Sequence, residues 1–126
     1  MKHLKKVKPF HQDKRGDMSY LLENEIPVKS VLLITCKKGS IRANHYHKKD
    51  SHFAYMLKGS MEYVYQKVGS KKKNSIIVKK GETVYSPPMV VHAMRFLENS
   101  AFLAITTEVR DQKKYEEDLV RVKLIE

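Results

Sequence analysis

Apolar residues along the chain recur in short runs that often alternate with polar ones, and turn-forming residues separate these runs. In the run that begins at Met61, the side chains of Met61, Tyr63 and Tyr65 share one face of an extended strand, and the residues between them lie on the other. Many short strands of this kind predict an all-β sandwich or barrel. The predicted strands are Met18–Leu22, Val28–Cys36, Ile41–His47, His52–Leu57, Met61–Val68, Ser75–Val78, Glu82–Ser86, Val90–Phe96, Ala101–Thr107 and Leu119–Ile125.

One segment near the end of the chain, Asp111–Asp118, has the polar character of one or two helical turns. The remainder is strand or turn, without an internal repeat, a low-complexity stretch or a linker. A chain of 126 residues is long enough to bury a core of its own. We therefore expect a single domain over residues 1–126.

The composition is strongly basic, with a formal net charge of +11 and 31% charged residues. Such an excess favours acidic partners such as nucleotides, phosphorylated small molecules, nucleic acid or an anionic membrane surface, although a solvated lysine-rich surface would have the same composition. Of these partners we expect an anionic small molecule. The lysines are spread along the chain and no helix-turn-helix, zinc-finger or RNA-binding signature accompanies them. We therefore expect no specific binding of nucleic acid.

Cys36 is the only cysteine, so the chain can form no internal disulfide, and its place in an apolar strand predicts that it is buried. This cysteine usage fits a reducing compartment. The basic segment Met1–Lys6 is not followed by the apolar run of a secretory signal, and no stretch approaches the roughly 20 apolar residues of a membrane span. We expect a cytoplasmic protein that does not bind membranes.

Histidines provide the most specific chemical signal in the sequence. His45 and His47 are two residues apart and point from the same face of a strand. A hairpin over the following lysine-rich turn would bring His52 beside them, and His92, after the pair Pro87–Pro88, is a fourth candidate. Imidazoles that converge from neighbouring strands supply the neutral nitrogen lone pairs that a transition metal binds.

The spacing of these residues resembles the first motif of the cupin superfamily. The motif is written G-x5-H-x-H-x3,4-E-x6-G, and residues 39–59 follow it with Gly39, His45, His47, His52 and Gly59. The single departure is His52, which stands where most members have Glu. Every spacing of the motif is therefore matched, and only the residue type at position 52 differs.

A second cupin motif, G-x5-P-x-G-x2-H-x3-N, is matched over residues 81–96 by Gly81, Pro87 and His92. The resemblance implies a jelly-roll β-barrel, commonly a homodimer, with the ligand site in its mouth. It also implies that a divalent metal is bound at four positions, which are His45, His47, His52 and His92. With imidazole in place of carboxylate, such a site prefers a transition metal such as Zn, Fe, Ni or Mn to Mg or Ca.

Three further stretches are similar to the sugar 3,4-ketoisomerases, which are cupin enzymes that act on nucleotide-linked 4-keto-6-deoxysugars in polysaccharide biosynthesis. The similar stretches are Arg42–Lys49, Leu57–Ser60 and Pro88–Met94. In that family the reaction is thought to need no metal, because a histidine pair and an aromatic hydroxyl move protons around an enediol. The resemblance implies that His45 and His47 form this pair.

The first hypothesis for function is therefore an isomerase or epimerase that moves a proton next to a carbonyl, with His45, His47 and Tyr63 as catalytic residues. We expect three substrate contacts, which are Arg42, Arg95 and Tyr55. A bound metal would instead polarise the carbonyl and leave the base to a tyrosine or Glu62. The alternatives are an Fe-dependent cupin dioxygenase with an all-histidine site and a non-catalytic small-molecule-binding cupin.

Overall fold

The computed structural model of the chain describes residues 4–108 and 112–126. Within these residues it contains twelve strands and one short helix. The elements are β1 (Leu4–Lys6), β2 (His11–Asp13), β3 (Gly16–Met18), β4 (Ser30–Cys36), β5 (Ile41–His47), β6 (His52–Lys58), β7 (Ser60–Lys67), β8 (Asn74–Lys79), β9 (Glu82–Ser86), β10 (Val90–Phe96), β11 (Ser100–Thr106), α1 (Gln112–Asp118) and β12 (Leu119–Arg121).

Ten of the strands form two antiparallel five-stranded sheets, in the orders β1-β9-β6-β11-β4 and β12-β5-β10-β7-β8. From β4 to β7, and again from β8 to β11, each strand crosses to the other sheet, as in a jelly roll. β2 and β3 form a separate hairpin. The predicted all-β jelly-roll barrel is therefore confirmed.

Alternation along the strands explains the core between the two sheets. Met61 and Tyr63 on β7 are fully buried, and Tyr65 on the same face packs against them. Cys36 at the end of β4 is buried, as predicted. Other core side chains are Met56, Val78, Val84, Met94, Phe96 and Phe102. No helix in the described part of the chain is long and apolar enough to cross a membrane.

The motif glycine Gly59 makes the tight connection between β6 and β7. Its φ of 83° lies in the left-handed region. A Cβ at this position would stand 2.8 Å from the carbonyl oxygen of Asn99 and would collide with Ser100. Glycine is therefore required here by both the backbone and the close approach of β11.

A bulge in β5 sets the direction of the side chains on this strand. Ala43 and Asn44 have φ values of 70° and 55°, and the register with β10 shifts at this point. His45 is paired with His92, and Arg42 is paired with Met94. Since paired residues share a face, Arg42 and His45 lie on the same face of β5 although they are three residues apart.

Three sequence predictions were wrong in detail. β5 and β6 do not form a hairpin, because they belong to different sheets and the turn between them crosses the barrel. In the predicted strand Met18–Leu22 only Met18 is in a strand, since the residues directly after it form no sheet pairs. β12 ends at Arg121 rather than Ile125 because the Asn44 side chain, not a strand, binds the backbone of residues 124–125.

The predicted helix is present as α1, while Asp111 lies outside the described residues.

Candidate functional site

Four histidine rings meet inside one end of the barrel. β5 supplies His45 and His47, β6 supplies His52 and β10 supplies His92. The ring centroid of His45 lies 4.7 Å from that of His47 and 5.0 Å from that of His92. The ring centroids of His52 and His92 are 5.3 Å apart. All four rings are buried. The structure thus brings together the four histidines singled out in the sequence, with His52 arriving across the barrel from the opposite sheet.

A carboxylate from the C-terminal helix orients one of these rings. Asp118, the last residue of α1, accepts a hydrogen bond of 3.0 Å from Nδ1 of His47. The same carboxylate accepts bonds from the backbone amides of Lys49 and Asp50, at 2.8 and 3.2 Å, which hold it in place. A proton on Nδ1 leaves Nε2 of His47 with its lone pair. This arrangement suits either a general base or a metal ligand.

A second carboxylate, Asp50, lies buried between His47 and His52. Its Oδ2 is 4.0 Å from Nδ1 of His47 and 3.7 Å from Nδ1 of His52. Its Oδ1 accepts hydrogen bonds of 3.1 Å from the amide and the hydroxyl of Thr107, which fix its position. The acidic side chain that the motif lacks at position 52 therefore has a counterpart two residues earlier, at Asp50, outside the ring of imidazoles.

His92 is the most deeply placed of the four rings. Burial, followed by the neighbouring His52 and His45, lowers the pKa of His92 well below its ordinary value of 6.5. Its Nδ1 lies 3.3 Å from the carbonyl oxygen of Val90, to which it donates, so Nε2 keeps its lone pair. His92 is consequently neutral at physiological pH.

Tyr63 lies against the histidine cluster from the core side. Its ring stacks on His92 with a centroid separation of 5.9 Å, and its hydroxyl is 2.5 Å from Oγ of Ser86. Burial raises the pKa of Tyr63 above its ordinary value of 10. The hydroxyl therefore stays protonated and can serve as a hydrogen-bond donor.

The three predicted substrate contacts are not brought to the histidines. Arg42 lies toward the other end of the barrel, where Nε donates to Sγ of Cys36 at 3.1 Å and Nη2 to the carbonyl oxygen of Thr35 at 3.2 Å. Arg95 pairs with Glu62 at 3.6 Å and donates to the carbonyl oxygen of Glu126. Alternation places Tyr55 on the outer face of β6, opposite the face that carries His52.

Asp50, Asp118 and Ser86 are site residues that the sequence analysis did not find. Asp50 stands between two motif histidines, and that position is the one signal that could have singled it out. Asp118 is separated from His47 by 71 positions and Ser86 from Tyr63 by 23, so neither contact is visible as a local pattern.

The donor set fits a divalent transition metal. Ligand atoms of His45, His47 and His92 lie within 4.8 Å of one another, and so do those of His47, Asp50 and His52. The first group combines three buried imidazoles, which are borderline donors that suit Zn, Fe and Ni. In the second group Asp50 faces the Nδ1 atoms, so it resembles the outer partner of a ligating histidine.

The two-sheet jelly roll, with four histidines converging at one end, places the protein among the β-barrel proteins that carry a histidine site inside the barrel. The sequence model of the cupin domain family matches residues 32–107, and the chain belongs to this family. No match was found among curated proteins.

Solved structures give a second comparison. The chain is similar to the sugar 3,4-ketoisomerase QdtA from Thermoanaerobacterium thermosaccharolyticum in complex with TDP, at 26% identity and a TM-score of 0.75, covering 94% of this chain and 85% of that one. A double mutant of that enzyme, also with TDP, is 29% identical with the same coverage and TM-score. The TDP-fucose-3,4-ketoisomerase from Campylobacter jejuni is 21% identical, with a TM-score of 0.76 and coverage of 93% and 86%, which shows a shared fold.

Proposed function

We propose that the protein is an isomerase that moves a proton between adjacent carbons of a nucleotide-linked keto-sugar. The observation that carries the proposal is the hydrogen bond between the buried His47 and the half-buried Asp118, inside a cluster of four histidines. The likeness to a TDP-binding 3,4-ketoisomerase over 94% of the chain supports the substrate class, and so does the net charge of +11. The proposal includes a single domain over residues 1–126 and a cytoplasmic location.

In the proposed reaction, neutral His47 takes the proton from C3 of a 4-keto-sugar, next to the ketone. The electron pair of that C–H bond forms an enediolate, and a proton is returned at C4 while the hydroxyl proton of O3 passes to O4. The carbonyl thus moves from C4 to C3 without any net change in atoms or electrons. Asp118 favours the imidazolium that forms on His47 and keeps its ring in one orientation.

His45 completes the histidine pair in this proposal. Its ring is 4.7 Å from that of His47, a separation at which a second imidazole can deliver the proton to the neighbouring carbon. Tyr63, kept neutral by burial, is proposed as a hydrogen-bond donor beside His92. A donor in this dry region stabilises a developing oxyanion more than it would in water.

Incubation with TDP-linked 4-keto-6-deoxyglucose in deuterated water tests the proposal. We expect the ketone to move and the new C–H position to carry solvent deuterium. His47→Asn should lower the rate by about 10³-fold, because a positioned base contributes about 10² to 10⁴. His11→Asn is the matched control, since His11 is exposed in the β2–β3 hairpin. No product and no deuterium with the unaltered protein would contradict the proposal.

A divalent transition metal at His45, His47 and His92 would supply Lewis-acid polarisation of the carbonyl. It would occupy the same lone pair of His47 that the proposed proton transfer uses. We therefore expect that loading the protein with Zn²⁺ inhibits the isomerase and that a chelator restores it. Activation by metal, lost in His45→Ala, would overturn the histidine-base mechanism, and oxygen consumption with Fe(II) would favour a dioxygenase.

The proposal also includes a homodimer formed through the outer face of the sheet that contains β4. Val31 and Leu33 on this face are 58% and 65% exposed, and Leu57 is 39% exposed. Apolar side chains gathered on one face mark an interaction surface. Light scattering should give twice the chain mass of 14.7 kDa for the protein and a single mass for Leu33→Lys. Ile77→Lys, on β8 of the other sheet, is the control that should stay dimeric.

A further inference from the structure

A depression of about 770 Å³ opens at the end of the barrel away from the histidines. Its lining includes three cationic side chains: Lys37 directly follows β4, Arg42 is on β5 and Lys58 ends β6. The volume lies within the range of small-molecule sites, roughly 300 to 1,000 Å³. The residues that line it include neither a histidine nor a carboxylate.

Within the part of the chain that the structure describes, the cations of this depression have no acidic partner. In residues 4–108 and 112–126, no carboxylate lies within ion-pair distance of Lys37, Arg42 or Lys58. The nearby Glu98 instead accepts a hydrogen bond of 2.6 Å from the hydroxyl of Ser60. Three like charges around one concavity repel one another and attract an anion.

The principal donor in the depression is held in place. Nε of Arg42 donates to Sγ of Cys36 and Nη2 donates to the carbonyl oxygen of Thr35, so the guanidinium is positioned by neutral acceptors and keeps its full charge. Asn99 accepts a 2.9 Å bond from the amide of Lys38 through Oδ1, which leaves its NH₂ group as a donor. A planar guanidinium with lysines around it matches the oxygens of a phosphoryl group.

The depression is a separate place from the histidine cluster. His52 begins β6 and Lys58 ends it, so the two are about 20 Å apart along an extended strand. Buried side chains of the core, among them Met56, Met94 and Phe102, fill the interior between them. One ligand therefore cannot pass through the barrel from one end to the other.

We propose that this depression, around Arg42, Lys37 and Lys58, is a second binding site that takes a small molecule carrying phosphoryl groups. It does not depend on the isomerase activity. A ligand here would bind independently of the group held at the histidines, and Arg42 belongs to this site rather than to the histidine end.

Titration of inorganic diphosphate into the ¹⁵N-labelled protein tests the proposal by amide chemical shifts. We expect saturable shifts in residues 37–42 and 99–101, with residues 45–52 unmoved. Lys58→Gln should weaken binding about tenfold, since a charge-assisted hydrogen bond is lost. Lys71→Gln, in the exposed loop before β8, removes the same charge elsewhere and should bind as tightly as the unaltered protein.

Arg42→Gln should weaken binding at least as much as Lys58→Gln. Lys58 is exposed, so Lys58→Gln keeps the test decisive if the spectrum of Arg42→Gln shows that this variant does not fold. Shifts spread over the surface lysines without saturation, shifts confined to the histidines, or equal losses in Lys58→Gln and Lys71→Gln would each overturn the proposal.

Discussion

At one end of the barrel β5 and β6 carry His47 and His52, and at the other end the same strands carry Arg42 and Lys58. The histidines are buried and backed by carboxylates, whereas the two cations are exposed and lack an acidic partner in the described chain. A neutral imidazole can be buried at small cost, but a permanent cation must keep contact with water or an anion. On β5 and β6 the buried end therefore carries histidines that can be neutral, and the exposed end carries permanent cations.

The largest difference between the two ends should appear when the carboxylate behind His47 is removed. Asp118→Asn is expected to lower kcat/KM about 10- to 100-fold, because the ring loses its fixed orientation and the charge that favours the imidazolium. The profile of kcat against pH should change as well, which a purely structural role would not produce. Glu117→Gln on the same helix is the control.

Diphosphate binding at the Arg42 end should be unchanged in Asp118→Asn. If both measurements fall together, the two ends are coupled and the comparison between them fails.

An intermediate effect is expected from acid. The pKa of folded His92 is lowered, so below its ordinary value of 6.5 the unfolded chain binds a proton that folded His92 excludes. The free energy of unfolding is therefore highest above about pH 6.5 and decreases as the pH falls below that value. One proton corresponds to a slope of up to about 1.4 kcal/mol per pH unit.

Urea unfolding of metal-free protein on both sides of pH 6.5 measures this slope. His92→Asn, which keeps a donor for the carbonyl of Val90, should show a shallower slope than the unaltered protein. Equal slopes would show that other groups cause the loss of stability, with His45, His47 and His52 in contact with the ring as the first candidates.

The smallest effect is expected at the bulge between the two ends. Ala43 has a φ of 70°, which costs a residue with a Cβ about 1 kcal/mol. Ala43→Gly should therefore raise the free energy of unfolding by up to about 1 kcal/mol. Ala101→Gly, in β11, should lower it by a similar amount. A loss of stability in Ala43→Gly would contradict the left-handed backbone.

The sequence predicted the fold because its signals are local. Alternation marked β7, and Ile41–His47, Glu82–Ser86 and Val90–Phe96 were predicted with the bounds that β5, β9 and β10 have. The hairpin between β5 and β6 was wrong since local pattern cannot tell a turn within a sheet from a turn across a barrel. That distinction depends on which strand β6 finds as its neighbour.

The part of the site that could be predicted is the part whose residues have a characteristic spacing in the sequence. Motif spacing singled out the four histidines, whose convergence the structure shows. Arg42 is close to the histidines in sequence, but its side chain lies toward the other end of the barrel, beside Thr35 and Cys36. Asp118 could not be found since its contact with His47 depends on how α1 docks on the barrel.

The side chain of Asn44 joins the bulge to residues 124–125. Its Oδ1 accepts hydrogen bonds from the amides of Leu124 and Ile125, and its Nδ2 donates one to the carbonyl oxygen of Ile125. If the protein is immobilised on a resin, a tether attached at Glu126 would strain the hydrogen bonds of Asn44, which help to fix the orientation of the neighbouring His45. Amine coupling through Lys71 or Lys72, in the loop before β8, leaves that frame relaxed, but coupling at Lys73 would not, because its Nζ donates to the carbonyl of Leu124.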